Sequence, residues 1–187
     1  SDVCSSDLAN FTSSTSLIGS SLAIWKVKTY LRKVAQTDSH VLITGETGTG
    51  KELAAQYIHR HSTRHTKPLV TINCAALPDG LLESELFGYE RGAFTGAVSS
   101  YAGKLKLADG GTVLFDEIGD MSLYAQAKIL RLIETKEVYP LGGGRGVPLN
   151  IKIIAATNRE LEGQTAKGEF RQDLYYRLNV ARVYLPP

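Results

Sequence analysis

Apolar residues recur every three to four positions over residues 20–35, at Leu22, Trp25, Val27, Tyr30, Leu31 and Val34, and this spacing predicts an amphipathic helix. The pattern then changes. Residues 41–44 form a short apolar run of the kind a buried strand shows, and a glycine-rich stretch follows it directly. Beyond the glycines, Leu53, Ala54, Tyr57 and Ile58 mark one face of a second helix. Apolar runs at 69–72, 113–115, 151–155 and 180–185 predict four more strands, separated by helix-like stretches such as 122–133. Ser122 is the expected N-cap of that stretch, and Gly142, Gly143 and Gly144 break the chain after a strand-like segment around Val138. Five strands alternating with helices predict an α/β domain built on a five-stranded parallel sheet flanked by helices.

Composition narrows the function classes. A chain of 187 residues, 43% of them hydrophobic, suits one domain with a sizeable core. The formal net charge of +2, from 21 basic and 19 acidic residues, supplies no overall attraction to nucleic acid or membrane, so DNA contact is expected only through a domain absent here. Cys4 and Cys74 are the only cysteines, and no apolar run approaches the roughly 18 residues of a membrane span. The expected location is the cytoplasm, with no membrane partner. Residues 1–8, SDVCSSDL, have neither the charged nor the apolar region of a signal peptide. They resemble translated sequencing-adapter read-through, and a disordered linker end would look the same. The expected division is a leader at 1–8, a linker at 9–16 and the α/β unit at 17–187.

Two segments carry candidate chemistry. In GETGTGKE, the residues Gly45, Glu46, Thr47, Gly48, Thr49, Gly50, Lys51 and Glu52 follow a buried strand and open a helix. Such a loop leaves backbone N–H groups free to wrap phosphate oxygens, and Lys51 supplies positive charge for the β- and γ-phosphates. The general pattern ends in Ser or Thr, which holds magnesium, where this chain has Glu52. A glycine-rich turn without ligand is the competing reading. Downstream, Asp116 and Glu117 close an apolar strand, where ligands bind in open parallel sheets. Asp116 is the expected Mg²⁺ residue, and Glu117 is expected to orient or deprotonate an attacking water. An acid pair that only caps the following turn is the alternative.

These runs resemble the Walker A and Walker B segments of the central domain of sigma-54-dependent, NtrC-like transcription activators, a branch of the AAA+ P-loop NTPases. In that branch the terminal Glu of the first motif is usual. INCAAL at 72–77, ELFG at 85–88, GAFTGA at 92–97, AATN at 155–158 and FRQDLYYRLNV at 170–180 agree in order and spacing. The resemblance implies ATP and Mg²⁺ as cofactors, a hexameric ring, and sigma-54 with the RNA polymerase holoenzyme as partners. It assigns Gly92, Ala93, Phe94, Thr95, Gly96 and Ala97 to the loop that touches sigma-54. Residue type alone instead favours a buried Phe94 at a turn. The resemblance also makes Asn73 a partner of Glu117, Thr157 and Asn158 a sensor of the γ-phosphate, and Arg171 and Arg177 interface arginines that reach a neighbour's ATP. Gln172 stands where an acid is common, which leaves open which arginine is the finger. On local sequence, Asn73 reads equally as a turn residue. The resemblance also implies a C-terminal helical lid, which is expected to lie after Pro187.

Other signals read as structural. His59, His61 and His65 lie in a basic stretch, and the first pair points to different sides of a helix, which disfavours a metal site. Cys74, Tyr175 and Tyr176 are expected to pack. Two functions fit these residues: ATP hydrolysis coupled to remodelling of the sigma-54 holoenzyme, or a nucleotide-regulated binding or repressor module that does not remodel.

Overall fold

The computed structural model describes residues 22–187; the expected leader, the linker, Cys4 and the first residues of the α/β unit lie outside them. Helix α1 spans Leu22–Ala35 and strand β1 Val41–Thr44, followed by α2 at Lys51–Arg60 and β2 at Leu69–Asn73. Next come α3 (Asp79–Phe87), α4 (Lys104–Leu107), β3 (Thr112–Asp116) and a 3-10 turn at Ile118–Asp120. Helix α5 (Leu123–Thr135) leads into a small hairpin of β4 (Glu137–Val138) and β5 (Val147–Pro148). The chain closes through β6 (Lys152–Thr157), α6 (Leu161–Ala166), α7 (Gln172–Leu178) and β7 (Ala181–Tyr184). All five expected strands form one parallel sheet, in the order β2-β3-β6-β1-β7. Ser122 is the N-cap of α5, its hydroxyl accepting from Ala125 N–H at 3.2 Å.

Alternation along each strand divides the core into two layers. Val113, Phe115, Ile153 and Ala155 point to the side covered by α3 to α7, whereas Leu114, Ile154 and Ala156 point to the side covered by α1 and α2. Helices on both faces explain why the strands read as continuous apolar runs. Lys152 is the exception within β6. It is fully buried, and its Nζ donates to Val34 O at 3.0 Å and Thr37 O at 2.6 Å, capping the C-terminal end of α1. Burial pulls its pKa down to about 8. The histidines serve packing: His59 is buried with Nδ1 2.9 Å from Thr112 Oγ1, and the His61 ring stacks on Tyr57 at 4.0 Å. Tyr175 is buried as expected, but Tyr176 is 64% exposed because the next helical position is turned by about 100°, off the buried face of the short helix α7.

His40, just before β1, accepts a hydrogen bond from Ile153 N–H on Nδ1 at 3.2 Å, so the ring must be neutral at that nitrogen. Burial first, and then nearby Lys136, lower its pKa to about 4 from an ordinary 6.5. Between these values the unfolded chain binds a proton that the folded chain refuses, so stability is full above pH 6.5 and falls as pH drops toward 4. Urea denaturation of the wild type and of His40→Gln should therefore show the wild type losing up to about 3 kcal/mol relative to the variant across that window. A pH-independent difference would contradict the buried neutral ring.

Candidate functional site: a phosphate loop facing an acid pair

Three adjacent strands set the site. Parallel register aligns Thr44 with Thr157 and Phe115 with Ala155, so the segments leaving β1, β6 and β3 emerge side by side at the C-terminal edge. In this order β1 and β6 are neighbours whose connections leave in different directions, the place where open α/β sheets bind ligands.

The loop after β1 turns sharply. Gly48 and Gly50 have φ of +85° and +84°, a region where a side chain is strained, and a Cβ on Gly45 would meet Leu185 O and Thr49 Oγ1 at 2.8 Å. Glycine is thus required by geometry at the positions the sequence supplies. Lys51 begins α2 and is 7% exposed; its Nζ donates to Gly45 O at 3.0 Å and Glu46 O at 2.9 Å. The same ammonium stands 4.0 Å from Glu117 Oε1. Thr47, Gly48, Gly50, Lys51, Glu52, Asp116 and Glu117 line one cleft of about 440 Å³. This fits a nucleoside triphosphate: a concave loop with a free helix N-terminus, a buried cation, and two carboxylates, of which Asp116 would face a hydrated divalent ion and Glu117 a water.

Glu117 adopts φ 52°, ψ 49°, an uncommon conformation for a residue with a Cβ. That backbone turns the chain out of β3 after Asp116, whose Oδ1 accepts from Glu117 N–H at 3.1 Å. Asn158 then ties the parts together. Its side-chain amide donates to Thr47 Oγ1 in the phosphate loop at 2.9 Å, and its backbone N–H donates to Glu117 Oε2 at 3.3 Å. Thr157 is fully buried, and its hydroxyl accepts from Arg159 N–H at 3.0 Å. It supports the turn and does not reach the cleft. Arg159, which sequence reasoning passed over, is ion-paired with Asp120 in the turn after the acids.

Asn73 stands opposite Asp116 in register, but its Oδ1 accepts from Ala75 N–H at 2.9 Å, and no hydrogen bond joins it to Glu117 among the described residues. The local turn is the contact made. Cys74 beside it is buried, and burial together with Asp116, Asp120 and Glu117 pushes its thiol up to about 12, so it stays protonated. Arg171 is the N-cap residue of α7 and makes two hydrogen bonds to Asp173, at 3.0 and 2.7 Å. Arg177, in the last turn, lies 3.6 Å from Glu134. Neither arginine lines the cleft of its own chain.

Residues 92–97 form a compact projecting turn. Gly92 N–H donates to Ala97 O at 2.9 Å and Ala97 N–H to Phe94 O at 3.1 Å, with Gly92 and Gly96 at φ 81° and 98°. Below the turn, Tyr89 pairs with Tyr101 through two backbone hydrogen bonds of 2.8 Å, and Leu141 N–H donates to Gly88 O at 2.9 Å. The hairpin region therefore anchors the stalk. Phe94 is 46% exposed, and its ring packs in a T-shaped arrangement with Tyr89, the centroids 4.9 Å apart. The burial expected from residue type does not occur, because the six-residue turn stands clear of both core layers.

The sheet order, phosphate loop and facing acids define a P-loop NTPase domain. A family model described as the sigma-54 interaction domain matches residues 17–184, and the chain belongs to that family. It is 53% identical over 171 residues to a Nif-specific regulatory protein of Sinorhizobium fredii, covering 91% of this chain and 29% of the relative. It is 56% identical over 154 residues to the DNA-binding transcriptional activator HyfR of Escherichia coli, covering 82% of this chain and 23% of that protein. Among solved structures, NtrX from Brucella abortus in complex with ADP superposes with a TM-score of 0.85 at 39% identity, covering 91% of this chain and 37% of NtrX. The chain thus spans about a quarter to a third of the relatives named here.

The exposure of Phe94 makes a direct prediction. Phe94→Ala should lower unfolding free energy by no more than about 1.5 kcal/mol, the scale of one aromatic edge contact, whereas Phe115→Ala should cost about 3–5 kcal/mol. Guanidinium titration of both variants checks this, and a Phe94 cost equal to that of Phe115 would contradict an exposed loop.

Proposed function

We propose that this domain hydrolyses ATP and uses the cycle to remodel a sigma-54 RNA polymerase holoenzyme in the cytoplasm. The observation that carries the reading is the link made by Asn158, which joins Thr47 of the phosphate loop to Glu117 of the acid pair in one site. A side chain placed there senses whether a γ-phosphate lies between loop and base. Loop N–H groups and Lys51 bind the phosphates, and Asp116 would hold Mg²⁺, which when bound would supply positive charge beside the γ-phosphate. Glu117 accepts the proton of the attacking water as its oxygen bonds the γ-phosphorus and the bond from that phosphorus to the β–γ bridging oxygen breaks, so that ADP leaves with the electron pair and inorganic phosphate is formed.

The same reading includes a ring. Arg171 and Arg177 do not line their own cleft, which supports a reading in which an arginine of a neighbouring subunit stabilises the developing charge, as in a homohexamer. Residues 92–97, with exposed Phe94 as apolar anchor, exposed Thr95 beside it and Ala97 buried at the base, form the surface offered to sigma-54. Family membership supports this partner. NtrX with bound ADP supports the nucleotide class. Among the described residues, no helix is long and apolar enough to cross a membrane.

Hydrolysis and output should separate by mutation. Glu117→Gln should bind ATP with near wild-type affinity and hydrolyse it at least about 10²-fold more slowly in a phosphate-release assay. Near-normal turnover would remove Glu117 from the mechanism. Thr95→Ala should keep its hydrolysis rate and lose open-complex formation with sigma-54 holoenzyme. Full activation by Thr95→Ala would instead favour a different contact surface.

A further inference from the structure

Two buried glutamines join the turn that follows the acid pair to the segment that leads into α7. Gln126 on α5 is completely buried, and its Nε2 donates to Met121 O at 2.8 Å and to Glu169 O at 3.2 Å. Its Oε1 accepts from Arg171 N–H at 2.8 Å. Gln164 on α6, 8% exposed, donates from Nε2 to Gly119 O at 3.0 Å, while its backbone carbonyl accepts from Glu169 N–H at 2.9 Å and Phe170 N–H at 3.3 Å. Its own Oε1 is buried without a partner. Such a group costs free energy that an apolar residue of the same size would avoid. Residues 119 and 121 are therefore joined to residues 169–171 on two sides: through the side chain of Gln126 alone, and through Gln164, whose side chain holds Gly119 while its backbone carbonyl holds residues 169 and 170.

We infer that Gln126 and Gln164 are positioning residues for Arg171: they set the start of α7, and hence the arginine presented to a neighbour, against the turn that follows Asp116 and Glu117. The inference rests on the proposed reading of Arg171 as a trans-acting arginine. Gln126 satisfies all three polar groups around it, so losing its amide frees the Arg171 backbone N–H and the carbonyls of 121 and 169 together. The nucleotide cleft of the same subunit keeps all its lining residues.

Methionine matches the length of glutamine without its hydrogen bonds, so Gln126→Met and Gln164→Met in the intact protein test the inference. Each should bind ATP within about twofold of wild type by titration calorimetry and hydrolyse it at least about tenfold more slowly, the direction of a lost arginine contact. Subunit mixing distinguishes positioning from general damage. Gln126→Met mixed with Lys51→Ala should regain hydrolysis, because some interfaces then pair an intact loop with a well-placed arginine. Mixed with Arg171→Ala it should regain none, because neither subunit then presents a well-placed Arg171 side chain. Wild-type hydrolysis by both methionine variants, or rescue by Arg171→Ala, would overturn the inference while leaving the proposed function standing. Normal hydrolysis by Arg171→Ala itself would overturn the reading of Arg171 and the inference with it. Should Gln126→Met fail to fold, Gln164→Met releases Gly119 from the residue whose backbone carbonyl holds 169 and 170, and carries the same mixing test.

Discussion

The parallel pairing of β3, β6 and β1 is the constraint on which the rest depends. Because Thr44 lies beside Thr157 and Phe115 beside Ala155, the phosphate loop, Asn158 and the acid pair must leave the sheet within reach of one another. None of the three segments contains the site alone. The pairing is enforced by full burial of the central strands between two helical layers, where unpaired backbone groups would be expensive. A slip of one residue in β3 would turn Phe115 to the wrong layer and move Glu117 away from Lys51.

Around that edge the molecule combines rigid and projecting parts. Lys51 is buried and doubly bonded to its own loop, and Asn158 spans from Thr47 to Glu117. By contrast, residues 92–97 hang on the Tyr89–Tyr101 pairing and on Leu141, with Phe94 nearly half exposed. Two kinds of surface are thereby built from one chain: a cleft whose groups are held before ligand arrives, and a turn free to meet a partner.

Much of this was legible in the sequence because the signals are local. Apolar runs gave all five sheet strands to within two residues, and the phosphate loop and acid pair announced themselves by residue type at the end of a strand. Glu52, which breaks the general pattern, lines the cleft with the rest. Tertiary satisfaction of polar groups was not legible. Nothing in the spacing shows that Gln126, one polar residue on the buried face of α5, closes three hydrogen bonds, or that Lys152 inside a strand caps a distant helix. A polar residue on an otherwise apolar helix face was the available signal. Phe94 shows the reverse failure, since residue type favours burial and only the resemblance points outward. For Asn73 the two sequence readings stood level, and the contact present is the local turn.

The central claim is that hydrolysis, and not nucleotide occupancy alone, drives action on the partner. Heparin-resistant open complexes formed by the intact protein with sigma-54 holoenzyme, measured with ATP and with a non-hydrolysable analogue of equal affinity, test it directly. The account predicts open complexes with ATP and none above background with the analogue. Equal yields with both would show that binding suffices, and would make the domain a nucleotide-regulated binding module.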